Sequence, residues 1–186
     1  MANGDNEDNA ATLLWELHEY IQERRISGPE GHSYISSAPR GTVAHPGLPY
    51  DSATDDYVRA SVQEVVEHTR SVNPDAGLPP RVQDTYAWMR EHTEHAPEED
   101  QFRSEVIAYR QSLEHAIRIG DDKVVRPHRC PKCRTFGLMW MAAASKAVCT
   151  NTDCSNREGL SSRFTLARLA HEHVTARKKL RNVSAT

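Results

Sequence analysis

Cys130-Pro131-Lys132-Cys133 and Cys149-Thr150-Asn151-Thr152-Asp153-Cys154 hold all four cysteines of this 186-residue chain. Two close pairs separated by a hairpin-length run have the spacing that a tetrahedral four-thiolate metal site requires. A two-residue gap in a tight turn lets the sulfurs of Cys130 and Cys133 face one concavity, where turn N–H groups support the thiolates. Pro131 suits that turn by fixing its backbone angle. Between the pairs, residues 136–141 (Phe-Gly-Leu-Met-Trp-Met) are apolar enough for a strand, and Lys146-Ala147-Val148 can return beside it after a turn through Ala143, Ala144 and Ser145. Such a hairpin delivers Cys149 back to the first pair. The second gap, Thr150 to Asp153, is polar and turn-favouring, which predicts a wider loop than the first.

These residues resemble the zinc-ribbon and zinc-knuckle class, in which Cys-x2-Cys units at the tips of short hairpins share one zinc ion. The resemblance covers residues 126–160 and implies one structural Zn²⁺ held by Cys130, Cys133, Cys149 and Cys154. The chain departs from that pattern twice. Arg134 follows the second cysteine where many ribbons carry Gly, and the second pair is spaced by four residues rather than two. Spacing alone leaves an iron centre on the same four thiols open. A redox pair at Cys130 and Cys133 would leave Cys149 and Cys154 unexplained, and no β-α-β pattern surrounds it. Two disulfides would call for an exported chain, and no apolar signal segment is evident. His128, two residues before Cys130, reads as an exposed neighbour rather than a ligand.

Charge divides the chain. Residues 1–122 contain 10 Arg and no Lys against 23 Asp and Glu, whereas residues 123–186 contain 13 Lys and Arg against 3 Asp and Glu. The overall net charge of −3 conceals this break. Three parts follow: a polar tail at 1–8, an acidic helical domain at 9–122 with a long loop at 27–50, and a basic ribbon module with a terminal helix at 123–186. Aromatic content of 6% and mean hydropathy of −0.70 predict a modest core. No apolar run approaches membrane-spanning length. Reduced, metal-like cysteine usage then points to the cytoplasm.

The acidic part is read as helical. Asn9 can cap a helix to about Arg24 with Leu13, Leu14, Leu17, Tyr20 and Ile21 on one face. Gly, Pro and Ser erase periodicity from Ser27 to Pro49. Ser52 and Asp55 have the form of a capping box, opening a helix over 54–72 that buries Tyr57, Val58, Ser61, Val62, Val65 and Val66. A third helix is expected over 81–95, with Val82, Tyr86 and Met89 on one face. The fourth shows the most regular stripe: Phe102, Val106, Tyr109, Leu113, Ala116 and Ile117, behind the acidic start Glu98-Glu99-Asp100 and ahead of Gly120. That stripe is expected to pack on the earlier helices or on a second copy of itself. After the ribbon, Ser161 or Ser162 can cap a final helix through Arg181, apolar along Phe164, Leu166, Leu169, Ala170, His173 and Val174. The fold class is therefore mainly α, with a small ribbon hairpin and a terminal helix.

Two functions compete. The first is nucleic-acid association, with DNA or RNA phosphates contacted by Arg129, Lys132 and Arg134 at the first knuckle and by Arg168, Arg177, Lys178, Lys179 and Arg181 on the final helix. Phe136 and Trp140 can offer stacking surfaces, although a ribbon this small needs one of them for its core. The second is a protein-interaction or self-associating role, in which zinc only stabilises the fold and the acidic helices dock on the basic module. Catalysis is not expected. His92 and His95, with Glu91, Glu94 and His115, lack the His-Glu-x-x-His pattern, and a four-cysteine zinc keeps no open position for water.

Overall fold

The computed structural model describes residues 52–184. The expected tail at 1–8, helix at 9–24 and loop at 27–50 lie outside the described residues. Within them the chain is mostly helical, with a three-stranded antiparallel sheet inserted before the last helix.

Helix α1 spans Ser52–Val72, two residues longer at its start than the sequence reading. Val58, Ser61, Val65 and Val66 are buried as expected, and Tyr57 and Val62 are half-buried against the same cluster. The expected third helix is shorter and begins differently. A 3-10 turn at Val82–Asp84 precedes α2, Thr85–Thr93. Arg81 donates to Asp84 at 2.7 Å and Thr85 Oγ1 to the Val82 carbonyl at 2.7 Å, which holds the tight turn. Tyr86, Trp88 and Met89 carry α2 into the core.

Helix α3, Glu98–Arg118, is central, and here the sequence reading is corrected. Its regular apolar stripe does not face the earlier helices. Tyr109, Leu113 and Ile117 pack into the cluster that contains the buried cysteines Cys130, Cys149 and Cys154 and Leu166 and Leu169 of the last helix. The face towards α1 and α2 carries Ser104, Ile107, Ala108, Gln111 and His115. It reads as polar, yet most of its polar atoms are paired internally, His115 Nε2 being buried without a partner. Tyr86 donates to Gln111 at 2.6 Å, Gln111 donates to the Ser61 carbonyl at 3.1 Å, and Arg110 bridges Glu64 and Glu114. Buried groups satisfied in this way cost little, so a polar face can still be an interior one.

Gly120 ends α3 as expected. Its φ of 98° is open to glycine, and Asp121 N–H closes back on the Ala116 carbonyl at 2.8 Å. A 3-10 turn, Asp122–Val125, then places Val125 fully inside the cysteine-bearing cluster. Strands β1 (Leu138–Met141), β2 (Lys146–Cys149) and β3 (Arg163–Phe164) form the sheet in that order. β3 replaces the expected start of the final helix, because Phe164 and Arg163 pair with Ala147 and Val148 of β2. The cap moves to Thr165, whose Oγ1 accepts from Arg168 N–H at 3.2 Å, and α4 runs Leu166–Ser184. Among the described residues no helix is long and apolar enough to cross a membrane.

Candidate metal centre and its surroundings

The four thiols converge. Their sulfur atoms all lie within 4.8 Å of one another, and none is in a disulfide. Cys130 Sγ is 3.7 Å from Cys154 Sγ, and Cys133 Sγ is 3.7 Å from Cys149 Sγ. Four sulfurs at the zinc–thiolate bond length around one tetrahedral centre stand about 3.8 Å apart. The donor set therefore fits a metal ion bound by four thiolates. It is the one group of three or more ligating side chains this close among the described residues.

Local chain chemistry explains the convergence. Cys130 N–H donates to the Thr135 carbonyl at 2.8 Å and Arg134 N–H to the Cys130 carbonyl at 2.9 Å, closing the first turn. Closure forces Arg134 to φ 62°, the left-handed conformation in which a side chain is disfavoured. Gly137 then turns the chain into β1 at φ 108°, and a Cβ there would meet Thr150 Oγ1 at 2.7 Å. Its carbonyl accepts from that hydroxyl at 2.6 Å, tying the two cysteine loops together. Leu138 pairs with Cys149 in the β1–β2 register, and Cys149 N–H donates to the Ser162 carbonyl at 2.9 Å. Cys154 is held by N–H donation to the Asn151 carbonyl at 3.0 Å and by accepting from Ser162 N–H at 3.0 Å. Ser162, just before the third strand, thus braces the wider second loop.

The thiols differ in electrostatic setting. Hydrogen bonding from the Thr135 hydroxyl, 2.9 Å away, and from its backbone pulls the Cys133 thiol down to about 6. Burial pushes Cys149 up to about 12 and also raises Cys130. Lys132 N–H, 3.4 Å from Cys130 Sγ, works in the opposite direction. A bound cation would deprotonate such thiols outright. Cys130, Cys149 and Cys154 are buried with Leu113, Val125, Leu138, Leu166 and Leu169, so the thiol corner is also the second core.

His128 departs from its expected place. It is buried rather than exposed, and it is no part of the sulfur cluster. Its Nε2 lies 2.8 Å from the Tyr109 hydroxyl and its Nδ1 3.2 Å from the Val125 carbonyl. That pattern is met by a neutral ring with Nδ1–H donating and Nε2 accepting. Tyr109 stacks on His173 at 4.0 Å between centroids, which with its contact to His128 joins α3, the segment leading into the cysteines and α4. The signals for this junction were in the sequence, Tyr109 on one apolar stripe and His173 on another, but nothing in it pairs the stripes.

The expected cationic surface divides. Arg134 and Arg168 both bind Glu172, at 2.8 and 2.6 Å. Lys178 reaches Glu98 at 3.4 Å and Arg181 reaches Glu105 at 3.5 Å, both on α3. Lys179 is exposed, and Arg177 is half-buried near Tyr109 and His173. Arg129 and Lys132 remain at the exposed knuckle, where Lys132 donates to the Ser155 carbonyl. Phe136 is 57% exposed, whereas Trp140 is half-buried against the core, so Trp140 is the ring used internally. Exposed pairs of this kind are worth about 0–1 kcal/mol each. Glu172→Gln is therefore expected to lower thermal stability by less than about 1 kcal/mol in a melting experiment, with metal content unchanged.

His92 and His95 do not gather into a further metal site with Glu91, Glu94 or His115; His92 Nδ1 meets Asn73 at 3.4 Å instead. His68 Nε2 lies 2.8 Å from Ser104 Oγ, a serine–histidine contact that sequence spacing did not reveal. Ser104 donates to the Asp100 carbonyl within its own helix, and His68 Nδ1 is buried without a partner. The acid that orients a catalytic histidine is missing from that pair.

No protein-family model, no curated protein and no solved structure matches the chain.

Proposed function

We propose that this is a non-catalytic zinc protein of the ribbon type, whose metal locks the C-terminal module and whose basic knuckle associates with nucleic acid. The observation that carries the first part is the closed set of four converging sulfurs. With Cys130, Cys133, Cys149 and Cys154 all engaged, a tetrahedral zinc has no position left for water or substrate, so its contribution is to folding. The nucleic-acid reading draws on residues 123–163, which hold eight Lys and Arg against two Asp and Glu. Phosphates are drawn to such a surface irrespective of sequence.

A second reading is favoured by a specific observation. Lys178 and Arg181 meet Glu98 and Glu105 within the chain, which reduces the cationic surface of α4 and leaves the helices available for a protein partner or self-association. Titrating metal-loaded protein with labelled DNA and RNA across a salt series separates the two. Binding that weakens roughly linearly in log affinity against log salt, with a slope reduced in Arg129→Gln/Lys132→Gln, supports the knuckle. No binding at low salt, with one zinc per chain, favours the protein-partner reading.

A further inference from the structure

We infer that the tip of the first cysteine turn is a binding site for single-stranded nucleic acid, with Phe136 and Arg129 together forming the surface on which unpaired bases stack. This rests on the nucleic-acid reading above and adds to it a strand preference and a residue. Phe136 is a large ring left 57% exposed, immediately after the turn and just before β1. Arg129 lays its guanidinium over that ring, 4.3 Å from the centroid, and Nη1 donates to the Arg134 carbonyl at 3.1 Å. The carbonyl belongs to the turn closed by Cys130 and Arg134, so the cation–ring pair is held by the same backbone that aims the first two sulfurs. Arg126 and Lys132 are exposed in the same segment and can meet the phosphates of a strand whose bases rest on the pair.

Duplex readout finds less to work with. Reading a groove needs an element that projects polar side chains into it. The loop between β1 and β2 offers Ala142–Ala144. The outward side of α4 offers Ala167, Arg168, His171, Ala176 and Lys179, with Arg168 bound to Glu172. In a duplex the base faces are covered by their neighbours, whereas an unpaired base can stack on a phenylalanine ring or on a guanidinium plane. An exposed Phe–Arg pair would also suit a protein partner. The eight-to-two excess of cations over acids across residues 123–163 favours the polyanion.

The test is fluorescence anisotropy of full-length, metal-quantified protein with labelled oligo-dT, oligo-U and a duplex of equal length, at matched salt. Phe136→Leu and Phe136→Tyr are run beside the wild type. The expected result is tighter binding to both single strands than to the duplex. Phe136→Leu should lose about tenfold on single strands, while Phe136→Tyr, which keeps a ring, stays within about twofold of wild type. Duplex affinity and metal stoichiometry should not change in either. Single-strand affinity unaffected by Phe136→Leu, or a duplex preferred at equal salt, overturns this inference while leaving the salt-dependent reading standing. No binding to any of the three at low salt overturns both and assigns the tip to a protein partner. If Phe136→Leu proves misfolded, Arg129→Gln replaces it, with the same loss expected on single strands.

Discussion

Chain carrying Cys130→Ser is expected to purify with much less than one metal ion per molecule and to lose its sheet, while α1 and α2 stay folded. Cys130 is wholly buried among Leu113, Val125, Leu138, Leu166 and Leu169, in a cluster whose centre is the four thiols. Its strands are four, four and two residues long, too short to be stable alone. Structural zinc sites contribute on the order of 10–16 kcal/mol of apparent binding free energy at neutral pH in zinc-finger peptides, and that energy is folding energy. Serine cannot replace a thiolate ligand here, and it leaves a hydroxyl in a core lined by leucines. Damage should not stop at the cysteine loops. Leu113 of α3 and Leu166 and Leu169 of α4 share the cluster with the sulfurs, so the first turns of α4 should loosen with the cysteine loops and the sheet. Hydrogen exchange read by mass spectrometry should show protection lost over residues 126–170 and retained over 55–93. Full metal stoichiometry, or unchanged protection over 138–149, would refute the ligand assignment.

That spread of damage marks the difference between what the sequence displayed and what it concealed. The cysteine spacing revealed the sulfur cluster, the hairpin and the direction of its return, because two-residue and four-residue gaps constrain a chain locally. Helix α1 and the end of α3 at Gly120 were legible for the same reason, since caps and stripes are local. The partner of a stripe is not local. Tyr109, Leu113 and Ile117 announce a buried face and say nothing of what buries it, and the terminal helix that does so begins 68 residues after α3 begins. The opposite face hid itself more thoroughly. Gln111, His115, Ser104 and Arg110 look like solvent-facing residues until Tyr86, Tyr57, His68 and Glu64 arrive to pair with them. β3 was hidden because two residues make no periodicity; only pairing with Ala147 and Val148 defines it.

The electrostatic division of the chain follows a similar course. Acid in the first part and base in the last predicted two functional regions or one internal embrace. Along α4 the embrace is realised, with Glu98 and Glu105 of α3 meeting Lys178 and Arg181. Each pair has one exposed member, Glu98 or Arg181, and one largely covered, Lys178 or Glu105, so they are only partly open to exchange with a polyanion. The knuckle differs. Arg129 is engaged by a ring and a carbonyl rather than by an acid, which keeps its charge available to phosphate.

Acid should destabilise the helical core through His115, and replacing that residue should flatten the response. His115 is wholly buried beside Tyr57, whose hydroxyl lies 3.0 Å from Nδ1, and it also contacts the Gln111 carbonyl. Its Nε2 is buried without a hydrogen-bond partner. Burial, with Arg118 and Arg110 nearby, lowers its pKa to about 4 from the usual 6.5, against the smaller opposing effect of the Gln111 carbonyl. The folded protein therefore resists a proton that the unfolded chain accepts. Its contribution is fully present above pH 6.5 and is lost progressively as pH falls towards 4, at up to about 1.4 kcal/mol per pH unit and about 3 kcal/mol in all. His173, also lowered to about 4 chiefly by burial, adds a loss in the same window and direction. Acid protonates thiolates as well and so releases metal, which makes the wild-type slope a composite. His115→Asn isolates one component, since asparagine can still donate towards the Gln111 carbonyl but does not titrate. Urea unfolding followed by circular dichroism between pH 7.5 and 4.5 should find the variant less stable at neutral pH and its stability falling less steeply below pH 6.5. Parallel curves for variant and wild type would mean that the buried imidazole takes no part in the acid response.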